Sequence, residues 1–578
     1  MPWVAGWLGL LIGLADIIEG LGPGLAGRYK LHRLTEVTSL TRTADVIIGL
    51  LLLMLSHGLR RRKRRAWRAV LALLVSSLAL HVLLRHVPPH LLSMAITAVL
   101  LGALVAYRHE FYAVGDARTR WRALWALCGL LVADLAISIA YLSVAADGLD
   151  ANYSLGQRLQ SAAVNLVGFS GPVQFITPTA ADRFSFLTGA LGLLTLVVVG
   201  YLFLRPAEPV GRLRGQDAER IRELLDRHGE HDSLGYFCLR DDKSVIWSPT
   251  GKSCIGYRVL SGVMLASGDP IGDPEAWPGA IHAFLDESAR HAWVPAVIGC
   301  SEQGAEVWCR EGSLTALELG DEAVVTIADF SMEGRAMRNV RQMVKRVARQ
   351  GYVAEVRRVG DVPEDEIKRL VRQADSWRGS PTERGFSMAL GRVGGCDDNG
   401  CVIVTARENG VLRALLHFVP WGTDGLSLDL MRRDRGAAPG LNDFLIVETI
   451  KHGADLGVKH ISLNFAMFRA ALERGERIGA GPVLRAWRRV LLFMSRWFQI
   501  ESLYKFNAKF SPQWLPRFLV FPHPRDLPRI GLAAMEAEAF LVWPTVQLRR
   551  VARKLGMGRL RRRVGAAPRQ PRQPRPAP

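Results

Sequence analysis

All of the long apolar runs in this chain lie before Pro206. Six of them, at residues 3–21, 44–59, 66–84, 90–107, 124–144 and 184–204, reach or approach the roughly 20 residues that a helix needs to cross about 30 Å of hydrocarbon. The pattern predicts a multi-pass α-helical membrane domain over residues 1–205 with about six transmembrane helices. The first run has no basic start, carries Asp16 and Glu19, and precedes no clear small-residue cleavage site, so it is expected to stay in the membrane. Arg60, Arg61, Arg62, Lys63, Arg64 and Arg65 follow the second run, and Arg108, Arg118, Arg120 and Arg122 follow the fourth. The positive-inside rule places both loops, the N-terminus and everything after Arg205 in the cytoplasm, although Arg28, Lys30 and Arg33 run against it. Residues 164–178 are apolar enough to re-enter the bilayer. Asp134, inside the fifth run, is expected to face other helices or a cavity, either as part of a lipid path or as a polar contact between helices.

Beyond Arg205 the apolar runs become short and are punctuated by Gly, Pro and Asp. Alternation at residues 244–247, 254–260 and 402–406 predicts strands, and residues 218–228, 277–291 and 333–350 read as amphipathic helices. Strands mixed with helices twice over predict two α/β units of about 150 residues, 206–360 and 361–525, followed by a basic segment and a Pro/Arg-rich tail over 526–578. That tail is expected to be disordered and to rest on anionic lipid. A formal net charge of +20 calls for an anionic partner, either nucleic acid or the surface of an anionic leaflet. The seven cysteines show no CxxC or paired metal spacing, which suits a reducing compartment. No P-loop, dinucleotide fingerprint, HExxH or GxSxG occurs, so ATP-driven and metal-hydrolytic readings have no footing.

Three stretches carry candidate chemistry. Residues 500–521 interleave Tyr504, Phe506, Phe510, Trp514 and Phe518 with Lys505, Lys509 and Arg517, while Pro512 and Pro516 break any long helix. Such a stretch suits a surface that holds phosphate while excluding water, or the amphipathic edge of a core. In residues 427–433, SLDLMRR, a strand would put Ser427 and Asp429 on one face with Arg432 just beyond its end. An acid beside a fork-shaped cation can hold an amine next to a phosphate or carbonyl, or can simply close a turn. On the helix at 333–350, Arg338, Arg341, Lys345 and Arg349 share one face with Arg335 and Arg346 flanking it. That stripe suits a phosphate backbone or a solvated face.

Several motifs stand in order: DSLGYFCLRDDK from Asp232, GDPIG from Gly268, DFSMEGRAMRNVR from Asp329, ERGFSMALGR from Glu383, SLDLMRRD from Ser427 with APGLNDFLI after it, and LYKFNAKFSPQWLPRF from Leu503. Over residues 217–522 the chain therefore resembles the bacterial phosphatidylglycerol aminoacyltransferases of the multiple peptide resistance factor family, and the lysyltransferase part of lysX-type proteins. The resemblance implies two tandem N-acetyltransferase-like (GNAT-type) folds. It implies transfer of an aminoacyl group, most often lysyl, from aminoacyl-tRNA as co-substrate to phosphatidylglycerol, with no cofactor and no metal. Resistance to cationic antimicrobial peptides is the expected benefit, and the tRNA would be charged by another protein.

On this resemblance Asp429 and Arg432 are the candidate catalytic residues, and Arg433, Lys505, Asn507, Lys509 and Arg517 the candidate substrate-binding ones. Arg338, Arg341, Lys345 and Arg349 would meet the tRNA. Family members with more membrane helices also flip the product, which six spans leave in doubt. Open alternatives are alanyl transfer, a diacylglycerol acceptor, an acyl-CoA N-acyltransferase, and a non-enzymatic lipid transporter. Homo-oligomerisation is open as well.

Overall fold

The computed structural model describes residues 6–8, 10, 51, 53–56, 58–60, 63–83, 91–111, 117–166, 171–204, 209–379, 385–395, 397–467 and 500–541. It divides into two compact units, residues 1–209 with 285–294, and residues 210–284 with 295–578.

The first unit contains α1 (Arg64–Leu83), α2 (Leu91–Ala106), α3 (Ala117–Val144), α4 (Leu155–Leu166) and α5 (Pro178–Leu204). Two stretches among the described residues, 123–144 in α3 and 178–203 in α5, are helical, long and apolar enough to cross a membrane. The runs at 66–84 and 90–107 also form helices, but α1 carries Arg64, Arg65 and Arg68 in its first turns and α2 has only 16 residues. The run at 3–21 and much of that at 44–59 lie outside the described residues. Asp134 on α3 is 4% exposed and accepts a hydrogen bond from Thr195 Oγ1 of α5 at 2.7 Å. Its carboxylate is thus a polar contact between two apolar helices, as its cost in hydrocarbon demands.

The second unit is built on one sheet, and its elements at 277–291 and 294–300 include residues of the stretch 285–294 that groups with the first unit. Its elements in chain order are α6 (Gly215–His228), β1 (Ser244–Trp247), β2 (Ser253–Leu260), β3 (Val263–Ser267), β4 (Ile271–Gly272), α7 (Trp277–His291), β5 (Val294–Cys300), α8 (Glu302–Gly312), β6 (Thr315–Thr326), α9 (Arg338–Arg349), β7 (Tyr352–Arg358), α10 (Glu364–Ser376), β8 (Val402–Glu408), β9 (Val411–Trp421), β10 (Gly425–Arg433), α11 (Leu441–Lys451), β11 (His460–Met467), α12 (Ile500–Ala508), β12 (Gln513–Phe521) and α13 (Leu527–Ala537). The strands lie in the order β1-β2-β3-β5-β12-β6-β11-β10-β9-β8-β7, with β4 beside β2.

Of the two prolines read as breakers, Pro512 lies between α12 and β12 and Pro516 lies within β12, and β12 enters the centre of the sheet. It pairs with β6 over its full length but with β5 only from Phe518 to Val520. Pro516, which has no N–H to give, therefore sits where β5 has not yet joined the ladder. The strand following the second half is thus built into the first. Likewise α9 and β7, which precede residue 360, belong to the second half. β7 pairs with β8, and Val340, Val344 and Val347 of α9 pack into the core made by β8, β9, β10 and α11. Valines spaced four and three apart give α9 one apolar stripe, and its cations take the other face.

Candidate active site

Two irregularities face each other at the centre of the sheet. β10 and β11 run parallel only from Gly425↔His460 to Ser427↔Ser462 and then part. Just beyond, β10 slips its register against β9 between Leu428 and Leu430. β11 slips against β6 between Ser462 and Phe465, with Asn464 in the left-handed region at φ 68°. Bulges of this kind re-aim side chains. Asp429 is the residue re-aimed on β10, and its carboxylate turns to His417 of β9.

The His417–Asp429 pair is nearly sealed from solvent, with side chains 0% and 3% exposed. His417 Nδ1 lies 2.6 Å from Asp429 Oδ2, and the Leu390 N–H donates to Asp429 Oδ1 at 2.7 Å. Burial works against a charged imidazole. The hydrogen bond to Asp429 leads the opposing effects, which hold the His417 pKa up at about 10. With its pKa held there, the ring keeps its proton at neutral pH. This pair should stabilise the fold fully below pH about 6.5, the ordinary histidine value, and lose that contribution as pH rises through about 10. The stability difference between wild type and His417→Gln, followed by thermal unfolding of the full chain in detergent, is expected to be largest at pH 6 and to shrink by pH 10. Taking the difference removes other groups that titrate there, such as Lys243, whose fully buried amine is brought down to about 8 mainly by desolvation. A difference that stays constant from pH 6 to 10 would contradict the pairing.

The Leu390 N–H reaches Asp429 because its loop is pinned from below. Glu538, just past α13, accepts from the Phe386 N–H at 2.7 Å, the Ser387 N–H at 3.1 Å and the Ser387 hydroxyl at 2.5 Å. Arg240 donates to Ala389 O at 3.1 Å, and Arg392 to Leu239 O at 2.8 Å. Residues 385–392, the described part of the ERGFSMALGR motif, are therefore a strap that delivers one backbone donor to the site.

The other expected site residues fall at several places. Arg432 is at the end of β10 and forms an ion pair with Asp375 of α10, its side chain 10% exposed. Arg433 is exposed. Lys509 Nζ lies 2.8 Å from Asp443 Oδ1, in the first turn of α11, and 5.0 Å from the Phe506 ring. Lys505 is exposed on α12, and Asn507 is fully buried with its Nδ2 donating to Leu463 O at 3.2 Å. On α9, Arg338, Lys345 and Arg349 are exposed, while Arg341 turns back to the Met332 and Gly334 carbonyls.

Arg517 departs from the expectation that it holds phosphate. It is 4% exposed, and Nε donates to Glu322 Oε2 at 2.9 Å, Nη1 to Asp232 Oδ1 at 2.7 Å and Gly299 O at 3.2 Å, and Nη2 to Ser233 Oγ at 2.8 Å and Glu322 Oε2 at 2.5 Å. All five donors of the guanidinium are used, which leaves none for a ligand. Ser233 and Ser462 also donate to Glu322 Oε1. Arg517 thus ties β12, β6, β11 and the segment before β1 together.

Sequence reasoning missed His417, the Leu390 strap, Glu322, Asn464 and Glu538. A lone histidine in the apolar run VLRALLHFVPW was the available signal for the first. Among the described residues no group of three or more His, Cys, Asp and Glu side chains is placed to hold a metal.

Comparison with known proteins matches both parts of the chain. A lysylphosphatidylglycerol biosynthesis bifunctional protein LysX from Rhodococcus opacus is 42% identical over 563 residues, covering 94% of this chain and 49% of the relative. The chain thus spans about half the length of the relatives it matches. The structure of L-PGS from Bacillus licheniformis aligns at 21% identity and TM-score 0.49, over 57% of this chain and 99% of that one. A GCN5-related N-acetyltransferase from Kribbella flavida aligns at 13% identity and TM-score 0.28, over 55% and 98%. Residues 1–203 match the transmembrane region of lysyl-tRNA synthetase. Residues 222–521, more than half of the chain, match the C-terminal part of phosphatidylglycerol lysyltransferase, and the chain belongs to that family.

Proposed function

We propose that this protein transfers a lysyl group from lysyl-tRNA to a glycerol hydroxyl of phosphatidylglycerol at the cytoplasmic face of the membrane. A multi-pass membrane domain carries the catalytic part, which is built as two tandem N-acetyltransferase-like folds. The observation that carries the reading is the buried Asp429–His417 pair at the β10 bulge, where β10 and β11 part, inside the segment that matches the family.

The tRNA ester is already an activated acyl donor. The lipid hydroxyl oxygen attacks the ester carbonyl carbon, the bond to the terminal ribose oxygen breaks, and the proton lost by the lipid hydroxyl is matched by the one the ribose oxygen gains. What the protein must supply is positioning and charge stabilisation. Asp429 provides negative charge for the aminoacyl ammonium. His417, an imidazolium at neutral pH, fixes Asp429 rather than taking the hydroxyl proton. Arg432, Arg433, Lys505 and Lys509 face the phosphates of the tRNA end and the lipid headgroup. The exposed cations of α9, Arg338, Lys345 and Arg349, take the tRNA backbone, with Arg341 bracing the turn before them. Both substrates are anionic, which accounts for the +20 charge. The product lowers the negative charge of the membrane and gives resistance to cationic peptides.

The test is the lipid extract of a bacterial host expressing the full chain. A new ninhydrin-positive lipid with the mass of lysyl-phosphatidylglycerol is expected. An alanyl mass would replace the amino acid, and no new aminolipid with the protein present in the membrane would overturn the reading.

A further inference from the structure

We infer that Asn464 and Asn507 form an acceptor-only pocket for a primary ammonium group of the aminoacyl donor. The inference rests on the aminoacyl-transfer reading and names what the site recognises. Asn464 is 8% exposed and Asn507 0%. Asn464 Nδ2 donates to the Leu428 carbonyl, and Asn507 Nδ2 donates to the Leu463 carbonyl at 3.2 Å. A carbonyl accepts and never donates, so these bonds fix which end of each amide is nitrogen. Both amides therefore present Oδ1, and both Oδ1 atoms are buried without a hydrogen-bond partner. Ser427 Oγ is buried and unpartnered as well, on the last residue pair before β10 and β11 separate.

The anchor points are backbone carbonyls of the neighbouring strands β10 and β11. Leu428 precedes Asp429, and Leu463 precedes Asn464, so both amides hang from the two bulges that flank the parting strands. An unmet buried acceptor costs free energy, which a ligand carrying donors would recover. Phosphate brings acceptor oxygens and would be repelled, so Asn507, a candidate substrate-binding residue, is suited to a donor group of the substrate and not to its phosphate. Asp429 already accepts from Leu390 and His417. An ammonium has three donors and needs acceptors beyond that carboxylate. The two asparagine oxygens supply them.

A lysyl group carries two ammonium groups, α and ε, and the test separates them. The full chain in phosphatidylglycerol vesicles is given lysyl-tRNA, Nα-acetyl-lysyl-tRNA or Nε-acetyl-lysyl-tRNA. Wild type is expected to lose about 10- to 100-fold in kcat/KM on the donor whose recognised amine is blocked, the loss of one or two charge-assisted hydrogen bonds. Asn464→Gly, which suits the positive φ, and Asn507→Ala should each lose a similar factor on lysyl-tRNA and little further on that blocked donor. The blocked donor that fails identifies the ammonium. Equal use of all three donors by wild type overturns the pocket, and this readout needs no variant. An equal fold-loss of the variants on every donor overturns it too, because a structural defect would do that. Transfer by wild type from none of the donors sinks the aminoacyl-transfer reading and the pocket with it.

Discussion

Arg517→Met is expected to destabilise the second unit by about 3–5 kcal/mol, the usual cost of removing one partner from a buried ion pair. The substitution keeps the length of the side chain but leaves Glu322, 0% exposed, and Asp232, 7% exposed, without the cation that faces them. Asp269 stands beside this group with its carboxyl pushed up mainly by burial and then by the Asp232 charge, while Arg517 pulls the other way. Without Arg517 these carboxyls must take up protons or open the sheet where β12 lies between β5 and β6. Chemical and thermal unfolding of the full chain in detergent measures the loss. Glu322→Gln added to Arg517→Met should recover part of it, since it removes a stranded charge. A single variant as stable as wild type would mean that the guanidinium does not hold the sheet.

Asp429→Asn is expected to cut transfer by about 100-fold or more while the fold persists. The change keeps the shape, removes the charge that faces the donor ammonium and leaves His417 without its anion. The lost contact is a charge-assisted hydrogen bond in a site closed to water, where such a bond counts for more than at a surface. Folding survives because the imidazole can shed its proton, which a guanidinium in the same position could not. The loss should appear with lysyl-tRNA at saturating phosphatidylglycerol and should not be recovered by more lipid. Transfer within twofold of wild type would remove Asp429 from the mechanism.

Much of the framework was readable from residue order alone. Strands β1, β2 and β8 and helices α6 and α7 follow from alternation and helical spacing that the structure repeats closely. The stripe on α9 is legible because the valines facing the core and the cations facing out are set by one helical period. What depends on distant partners was not legible. Arg517 sits in an aromatic and cationic stretch that reads as surface, and only the placement of Asp232 and Glu322, 285 and 195 residues earlier, reveals it as buried. The insertion of β12 into the first half has the same cause. At the site, simple alternation put Ser427 and Asp429 on one face, but the register slip between Leu428 and Leu430 falls on Asp429 itself. A bulge leaves no mark in hydrophobic periodicity, so His417 and Asn464 were missed along with it.

The most direct measurement is lysyl transfer by the full chain reconstituted in phosphatidylglycerol vesicles, using lysyl-tRNA radiolabelled on the amino acid. Label should move into the lipid phase, and treating the donor with RNase beforehand should abolish the transfer. No label in the lipid, or transfer that proceeds equally after RNase from a donor that is not a tRNA, would contradict the account.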